Sequence, residues 1–166
     1  MNTIVVVDKN WGIGKNNDLL FHLKKDMKFF RETTTGKVVV MGANTFLSFP
    51  SGALPNRVNI VLDSSGAKHD GTISVDSVDK LNALLRNYDS NDIFVIGGAS
   101  FYKLMLDRCS VAYVTKVDAD GDAEVFFPNL DQKENWRLES QSENISDGNY
   151  NISFCRYVND KVENQR

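Results

Sequence analysis

Short apolar runs rich in β-branched residues alternate with amphipathic helical patterns along the first two thirds of the sequence. Five such runs predict strands, at Thr3–Val7, Lys37–Met41, Arg57–Leu62, Thr72–Val75 and Asp92–Ile96. Their near-continuous apolar character is typical of strands that are buried on both faces. The residues between them predict helices, at Leu23–Thr34, Ala43–Phe49, Ser77–Asn87 and Ala99–Leu106. Strand and helix in alternation predict βαβ units and a largely parallel sheet.

After Asp107 the pattern changes to strands without helices between them. The predicted strands are Val111–Val117, Trp136–Ser140 and Tyr150–Tyr157. The turn sequence Ser146-Asp147-Gly148-Asn149 predicts that the last two form a hairpin. We therefore expect an α/β fold, with a central mixed, mostly parallel β-sheet, an antiparallel C-terminal edge and about four flanking helices.

The length of 166 residues fits a single domain. We expect this domain to cover residues 1–158 and the polar residues 159–166 to form a fraying tail. The net charge of -3 argues against a protein that binds nucleic acid or acidic membranes through bulk electrostatics. The first apolar run is too short for a signal peptide, and no run approaches the ~18 residues of a membrane span. Two distant cysteines, Cys109 and Cys155, indicate reduced thiols, with a single disulfide left open, so we expect a cytoplasmic protein.

Familiar cofactor and metal motifs are incomplete. Gly12-Ile13-Gly14 follows a predicted strand, but Asn17 stands where a dinucleotide-binding loop has its third glycine. The run Asp118–Asp122 resembles the start of a calcium loop, but Asn129 replaces the glutamate that ends such a loop. The sequence predicts no metal site.

Asp26 is the most informative single residue. It falls within an apolar stripe formed by Leu23, Met27 and Phe30. A carboxylate on an inward face costs several kcal/mol unless it is paired or protonated. One interpretation is a structural acid that is satisfied by a backbone amide or by a hydroxyl such as that of Thr115. The other is an acid whose pKa is raised by apolar surroundings and which binds a polar ligand.

Three further features each allow a structural and a functional interpretation. Gly97-Gly98 is either a tight strand-to-helix turn or a phosphate-binding turn. Arg57, at the start of a buried strand, is either a surface residue or the partner of a ligand carboxylate. The loop Asp8–Leu20 is either a long connection or a mobile lid.

A set of short motifs runs through the chain in a fixed order. They are Trp11-Gly12-Ile13-Gly14-Lys15, Phe21-His22-Leu23-Lys24-Lys25-Asp26-Met27, Thr35-Gly36-Lys37, Val40-Met41-Gly42, Thr45-Phe46, Leu54-Pro55-Asn56-Arg57-Val58-Asn59-Ile60, Phe94-Val95-Ile96-Gly97-Gly98 and Phe126-Phe127-Pro128. Each motif is weak evidence alone. In this order and spacing, from Asn2 to Tyr157, the set resembles the dihydrofolate reductase family of the bacterial chromosomal type.

The resemblance implies an oxidoreductase that transfers a hydride from NADPH to C6 of 7,8-dihydrofolate and gives tetrahydrofolate. It implies that Asp26 grips the pterin edge and aids protonation of N5, and that Thr115 supports this acid. Phe21 is expected to pack by the pterin, and Leu19 to belong to a mobile lid. Expected partners are dihydrofolate and antifolate inhibitors, and the family favours a monomer.

The resemblance also implies the binding residues. Apolar walls are expected from Ile4, Val5, Met27, Phe30, Phe49, Leu54 and Ile96. Arg57 is expected to pair with the glutamate carboxylate of the substrate, with Arg31 as a second contact. Cofactor contacts are expected from Val6, Ile13, Gly14, Asn17, Leu19, Gly42, Ala43, Asn44, Thr45, Leu62, Asp63, Ser64, Ile96, Gly97, Gly98, Ala99, Ser100, Phe101 and Tyr102. A cis Gly97–Gly98 peptide and an adenosine-binding subdomain near residues 38–90 are expected as well.

This chain lacks basic residues at two positions where the family often has them for cofactor binding. Ala43 and Ser100 stand where basic residues often contact the 2′-phosphate, with Asp63 and Asp76 nearby. Because arginine is the usual phosphate partner, we expect a weaker preference for NADPH over NADH than is usual.

Two departures affect other parts of the site. Leu20-Phe21 replaces the usual Pro-Trp, which removes an indole N–H. Ala123 replaces a glycine in the loop that contacts the lid, which leaves the lid dynamics open.

Two alternative functions remain at this point. A pyrimidine reductase of the riboflavin pathway shares the scaffold but needs neither Asp26 nor a carboxylate grip at Arg57. A non-catalytic pterin- or nucleotide-binding protein would bind ligand without turnover. The presence of Asp26, Thr115 and the glycine pair argues against it.

Overall fold

The computed structural model describes residues 1–162. Helices α1 to α4 cover Lys24–Thr34, Ala43–Leu47, Val78–Leu85 and Ala99–Met105. Strands β1 to β12 cover Asn2–Val7, Gly12–Lys15, Asp18–Leu19, Val38–Gly42, Val58–Leu62, Ile73–Val75, Ile93–Val95, Val111–Val117, Val125–Phe126, Trp136–Gln141, Ile145–Asp147 and Tyr150–Asn159.

The main sheet has the strand order β10-β12-β8-β1-β7-β4-β5-β6, and β11 pairs with β12. Its centre is parallel, because β1 runs parallel to β7 and β8, and β4 runs parallel to β7 and β5. β12 is antiparallel to β8, β10 and β11, and β10 lies at the outer edge of this antiparallel C-terminal part. These pairings confirm the predicted α/β fold. A smaller sheet has the order β3-β2-β9.

Both faces of the central strands are covered, as their apolar sequence predicts. Val40 packs in one cluster with Leu81 of α3 and Met105 of α4. Its neighbours Val39 and Met41 pack in a second cluster, with the aromatic residues of α1 and α2. Successive residues of a strand point to opposite faces, so each helix pair covers one face of the sheet.

The C-terminal hairpin differs from the prediction. The turn at Gly148 joins β12 to the short strand β11, not to β10. β10 pairs further along β12, with Trp136 opposite Asn159. β12 is ten residues long, so it pairs with β11 and β10 in succession. The pattern missed β11 because Ile145 is the only apolar residue among its three.

The structure also differs from the sequence prediction at α2 and in the loop 8–20. α2 ends at Leu47 rather than Phe49, because Ser48 N is shared between Asn44 O and Thr45 O and Phe49 N donates to Phe46 O, three residues back, which tightens the last turn. The predicted loop 8–20 contains β2 and β3, which the sequence does not signal because β2 has two glycines and β3 is only two residues long.

β12 continues through Asn159, the first residue of the predicted tail, and the side chain of Asn159 donates to Cys109 O at 3.0 Å. Residues 163–166 of that tail lie outside the described residues. Among residues 1–162, no helix is long and apolar enough to cross a membrane. In the same part of the chain, no group of three or more His, Cys, Asp or Glu residues could hold a metal. Cys109 and Cys155 are buried free thiols.

Candidate active site

Several of the predicted cofactor residues lie at the carboxyl ends of the parallel strands. Gly42 ends β4, Leu62 ends β5, and Ile96 follows β7 directly. The loop that carries Gly14 and Leu19 follows β1 at the same edge, because β1 and β7 are parallel. Ligands of open α/β folds bind in the crevice at this edge.

Asp26 lies in the first turn of α1 and is partly buried. Burial raises its pKa from the ordinary 3.8 to about 6. Hydrogen bonding with the Thr115 hydroxyl opposes the rise, and the negative charge of Asp147 adds to it. Thr115 is buried on β8, opposite Val6 of β1. An acid with this pKa exchanges its proton near neutral pH, as a general acid must.

The inward face of α1 differs from the predicted stripe in one residue. Asp26, Phe30 and Thr34 follow one another at four-residue spacing and are all at least partly buried, whereas Met27 is 54% exposed. The predicted apolar stripe includes Met27 because Met27 lies four residues after Leu23. Leu23 precedes the helix in an extended conformation, with φ -107° and ψ 125°, so the helical phase begins later.

The segment before α1 packs on the hairpin of β11 and β12. Phe21 is buried, and its ring centroid lies 5.0 Å from that of Tyr150, edge to face. Phe21 shares an apolar cluster with Leu23 and Ile152. Its expected place beside a pterin stays a prediction.

Five of the predicted wall residues share one apolar cluster: Ile4, Phe30, Phe49, Leu54 and Ile96. Ile4 is buried and the other four are partly exposed. Partly exposed apolar side chains around a crevice offer contact to a flat ligand. The side chain of Val5 packs in the other cluster, because neighbouring residues of a strand point to opposite faces.

Arg57 is fixed at two of its nitrogens. Its Nε donates to Pro55 O at 2.9 Å, and its Nη1 donates to the Thr34 hydroxyl at 3.1 Å. These bonds leave Nη2 and the second Nη1 hydrogen as a fork that fits a carboxylate. Burial and the nearby charge of Arg31 lower the pKa of Arg57. A ligand carboxylate would relieve the repulsion between the two cations.

The turn after β7 lies beside the carboxyl end of β4. The Gly97–Gly98 peptide bond is cis, as the resemblance implies. Gly97 O accepts from Gly42 N at 2.9 Å, which joins the ends of β7 and β4. A Cβ on Gly97 would lie 3.1 Å from the Tyr102 ring, and one on Gly98 would lie 3.2 Å from the Thr45 hydroxyl. Such a turn suits a dinucleotide, whose phosphates need close backbone approach.

The other predicted cofactor residues divide by exposure. The partly buried ones are Val6, Gly42, Ala43, Thr45, Leu62, Asp63, Ile96, Gly98 and Ala99. Those with exposed side chains are Asn17, Leu19, Asn44, Ser64 and Ser100. The buried ones are Ile13, Gly14, Gly97, Phe101 and Tyr102. Tyr102 donates its hydroxyl to Ile4 O at 2.8 Å, so it joins α4 to β1.

Two acids follow the ends of the adjacent strands β5 and β6. Asp63 Oδ1 accepts from the Ser65 hydroxyl at 2.6 Å, and Oδ2 lies 2.8 Å from His69 Nε2. Hydrogen bonds from Ser65 and His69 lower the pKa of Asp63, so its carboxylate is ionised at neutral pH. Asp76, after β6, lies 2.9 Å from Lys80.

The loop after β1 is tied to the loop after β8, because β2 pairs with β9. Glu124 N donates to Gly14 O at 2.8 Å. Ala123 is accommodated by Gly12, where any Cβ would come within 2.3 Å of the alanine methyl. Leu19 is 61% exposed at the tip. The loop is therefore anchored at its base and exposed at its tip, and its expected role as a mobile lid stays a prediction.

Three buried polar residues that hold the loops of the site were not predicted from the sequence. Asp8 accepts from two backbone amides of the loop after β1, both at 2.8 Å. Asn59 bonds to both the N and the O of Leu54 at 2.9 Å. Asp147 accepts from the backbone of α1. For Asn59 a signal exists, since it is the one polar residue within the apolar run 58–62.

The fold and these residues together define a class: an α/β domain whose strand ends suit a nucleotide, with a partly buried acid one helical turn from an apolar cluster. The family model described as dihydrofolate reductase matches residues 1–159. The chain belongs to the dihydrofolate reductase family. It is an NADPH-dependent oxidoreductase that reduces dihydrofolate, as the motifs predict.

Individual relatives agree with this assignment. The dihydrofolate reductase of Haemophilus influenzae is 36% identical over 155 residues, which are 93% of this chain and 94% of the relative. That of Bacillus subtilis is 33% identical over 157 residues, 93% of this chain and 91% of the relative. A similar solved structure is dihydrofolate reductase from Enterococcus faecalis complexed with NADP(H) and RAB-propyl. It has a TM-score of 0.84 and 30% identity over 95% of each chain.

Proposed function

We propose that Asp26 binds the amidine-like edge of the pterin and aids protonation of N5, with Thr115 as its support. Bound NADPH supplies the hydride for C6. The observation that carries this proposal is a partly buried acid with a pKa of about 6, at the edge of an apolar wall. An acid of this kind is still partly protonated at neutral pH and sits where a heterocycle can reach it.

The length of α1 supports one orientation of the substrate. Asp26 lies in the first turn, and Thr34, which holds Arg57, lies in the last. Eight residues at 1.5 Å each separate them by about 12 Å along the helix. A substrate with a polar ring at one end, a carboxylate at the other and an apolar ring between them matches this span.

The direct test is the loss of nicotinamide absorbance when the purified chain meets NADPH and dihydrofolate. Steady turnover is the expected result. Binding of both ligands without turnover would instead identify a non-catalytic binding protein. Turnover of an aminopyrimidine substrate and not of dihydrofolate would favour the pyrimidine reductases.

Replacing Arg57 by leucine is expected to raise KM for dihydrofolate about 10–100-fold, because a charge-assisted pair is lost. The effect on kcat should be small, since Arg57 lies far from the reacting ring. Steady-state kinetics measure both constants. Arg31→Leu, which removes an exposed cation nearby, should have a smaller effect.

A dihydropterin without the glutamate tail separates carboxylate binding from folding damage. The wild-type chain and the Arg57→Leu variant should use it equally well. A loss of the same size with this substrate would contradict the assigned role of Arg57.

We also propose that the preference for NADPH over NADH is weaker than is usual in the family. Hydrogen bonds from Ser65 and His69 lower the pKa of Asp63, and Lys80 lowers that of Asp76, so an ionised carboxylate follows each of β5 and β6 where a basic residue would suit a phosphate. The ratio of kcat/KM for the two cofactors measures the preference. A ratio above about a thousand, or roughly 4 kcal/mol, would contradict this expectation.

We further propose that the chain works as a cytoplasmic monomer that antifolates inhibit. The single domain 1–158 and its adenosine-binding subdomain, near residues 38–90, rest on the resemblance. Within that subdomain the structure has β4, β5, β6, α2 and α3. Light scattering of the purified chain at working concentration measures the oligomeric state.

A further inference from the structure

The first turn of α1 is capped by a residue more than a hundred positions away. Asp147, at the end of β11, is 6% exposed. Its Oδ2 accepts from Lys25 N at 2.9 Å and from Asp26 N at 3.4 Å. Lys25 Nζ also donates to Ser146 O at 2.5 Å. The hairpin of β11 and β12 therefore holds the start of the helix through both backbone and side chain.

The helix has no side-chain cap of its own. Leu23 occupies the N-cap position, and leucine offers no acceptor for the free amides of the first turn. An acidic side chain at a helix N-terminus also interacts favourably with the helix dipole. Asp147 supplies both the acceptor oxygen and the negative charge, so the orientation of the first turn of α1 depends on the hairpin of β11 and β12.

Asp147 also lies close enough to Asp26 to affect it electrostatically. Burial makes the largest contribution to the raised pKa of Asp26, and the negative charge of Asp147 raises it further. Burial and, after it, the charge of Asp26 in turn raise the pKa of Tyr102 on α4, whose hydroxyl donates to Ile4 O. Thr115 on β8 completes the surroundings with an uncharged hydroxyl.

We propose that Asp147 is a positioning residue for Asp26: it fixes the first turn of α1 and keeps a second negative charge beside the acid. This inference rests on the proposed role of Asp26. Asp147 is buried, and its carboxylate is committed to the backbone of α1. It acts through the helix that carries the acid.

Two substitutions separate the cap from the charge. Asp147→Asn keeps an acceptor oxygen for the amides but removes the charge, so the fold should persist. Asp147→Ala removes both. Asp89 caps a short 3-10 turn at Asn91 N in a distant part of the chain, so Asp89→Ala controls for the loss of an aspartate cap.

The first measurement is the titration of the Asp26 carboxyl by carbon NMR in the ligand-free protein. Asp147→Asn should lower the titration midpoint of Asp26 by about half a unit to one unit. The pH above which kcat/KM falls should move down equally, with about a 3–10-fold loss at neutral pH. Asp147→Ala should lose more activity and also melt at a lower temperature, whereas Asp89→Ala should leave the midpoint unchanged.

An unchanged midpoint in Asp147→Asn would overturn the inference. So would an equal shift in Asp89→Ala, because the effect would then follow from general destabilisation. The titration needs neither substrate nor cofactor. It therefore remains decisive for Asp147 even if Asp26→Asn proved fully active and the proposed role of Asp26 failed.

Discussion

Replacing Asp26 by asparagine is expected to lower kcat/KM for dihydrofolate about 10²–10⁴-fold at neutral pH. Asparagine keeps the size of the side chain and one acceptor oxygen, but it cannot hold a proton for transfer. Glu32→Gln is the matched control, because it also removes one negative charge from α1, on the exposed face. It should change kcat/KM less than about twofold. A fully active Asp26→Asn enzyme beside an unaffected control would contradict the role of Asp26.

The pH profile gives an independent readout of the same substitution. Since the pKa of Asp26 is about 6, kcat/KM of the wild-type chain should be flat below that pH and fall above it. The variant depends on substrate that is protonated at N5 in solution, so its rate should keep rising as the pH falls. Acid conditions should therefore rescue part of the activity. An identical midpoint in both enzymes would assign the titration to another group.

The substitution should also stabilise the protein above pH 6. The native state holds the proton of Asp26 to a higher pH than the unfolded chain does, so the wild-type chain loses stability as the pH rises from about 4 to 6. The partly buried charge then costs about 1–3 kcal/mol. Asp26→Asn removes this cost. In urea unfolding, the free energy of unfolding of Asp26→Asn should exceed that of the wild-type chain above pH 6. The two should be equal below pH 4.

The central fold was predictable because each element carries a strong local signal. Buried parallel strands such as Val38–Gly42 are almost wholly apolar, and α3 starts directly after Ser77, the first residue of the predicted helix, whose side chain accepts from Lys80 N. The small sheet was not predictable. β2 is built on two glycines, and its pairing with β9 depends on contacts between residues more than a hundred positions apart.

The site was predictable where a residue breaks its local pattern. Asp26 stands out as an acid among apolar residues, and Arg57 as a cation before a buried strand. Asp8 and Asp147 gave no signal, because an aspartate at the end of a strand or in a turn is ordinary. Their importance comes from the backbone amides that they accept from, and those lie on other segments for which the sequence gives no distance.

Gly97→Ala is expected to destabilise the protein by about 2–4 kcal/mol and to weaken NADPH binding at least tenfold. Gly97 has a φ of +120°, which an L-residue rarely adopts, and the new Cβ would lie 3.1 Å from the Tyr102 ring. That ring has little freedom to yield, since Tyr102 is buried and donates to Ile4 O. Urea unfolding and fluorescence titration with NADPH measure the two effects.

Gly36→Ala separates packing from backbone conformation. Gly36 also has a positive φ, +79°, but a Cβ there would meet nothing within 4 Å. It should cost only about 1 kcal/mol and leave NADPH binding unchanged. The difference between the two variants then reports the contact with Tyr102 together with the more extreme φ of Gly97. If Gly97→Ala proved as stable as Gly36→Ala and bound NADPH normally, the turn would have room to relax, and close backbone packing would not explain a glycine at this position.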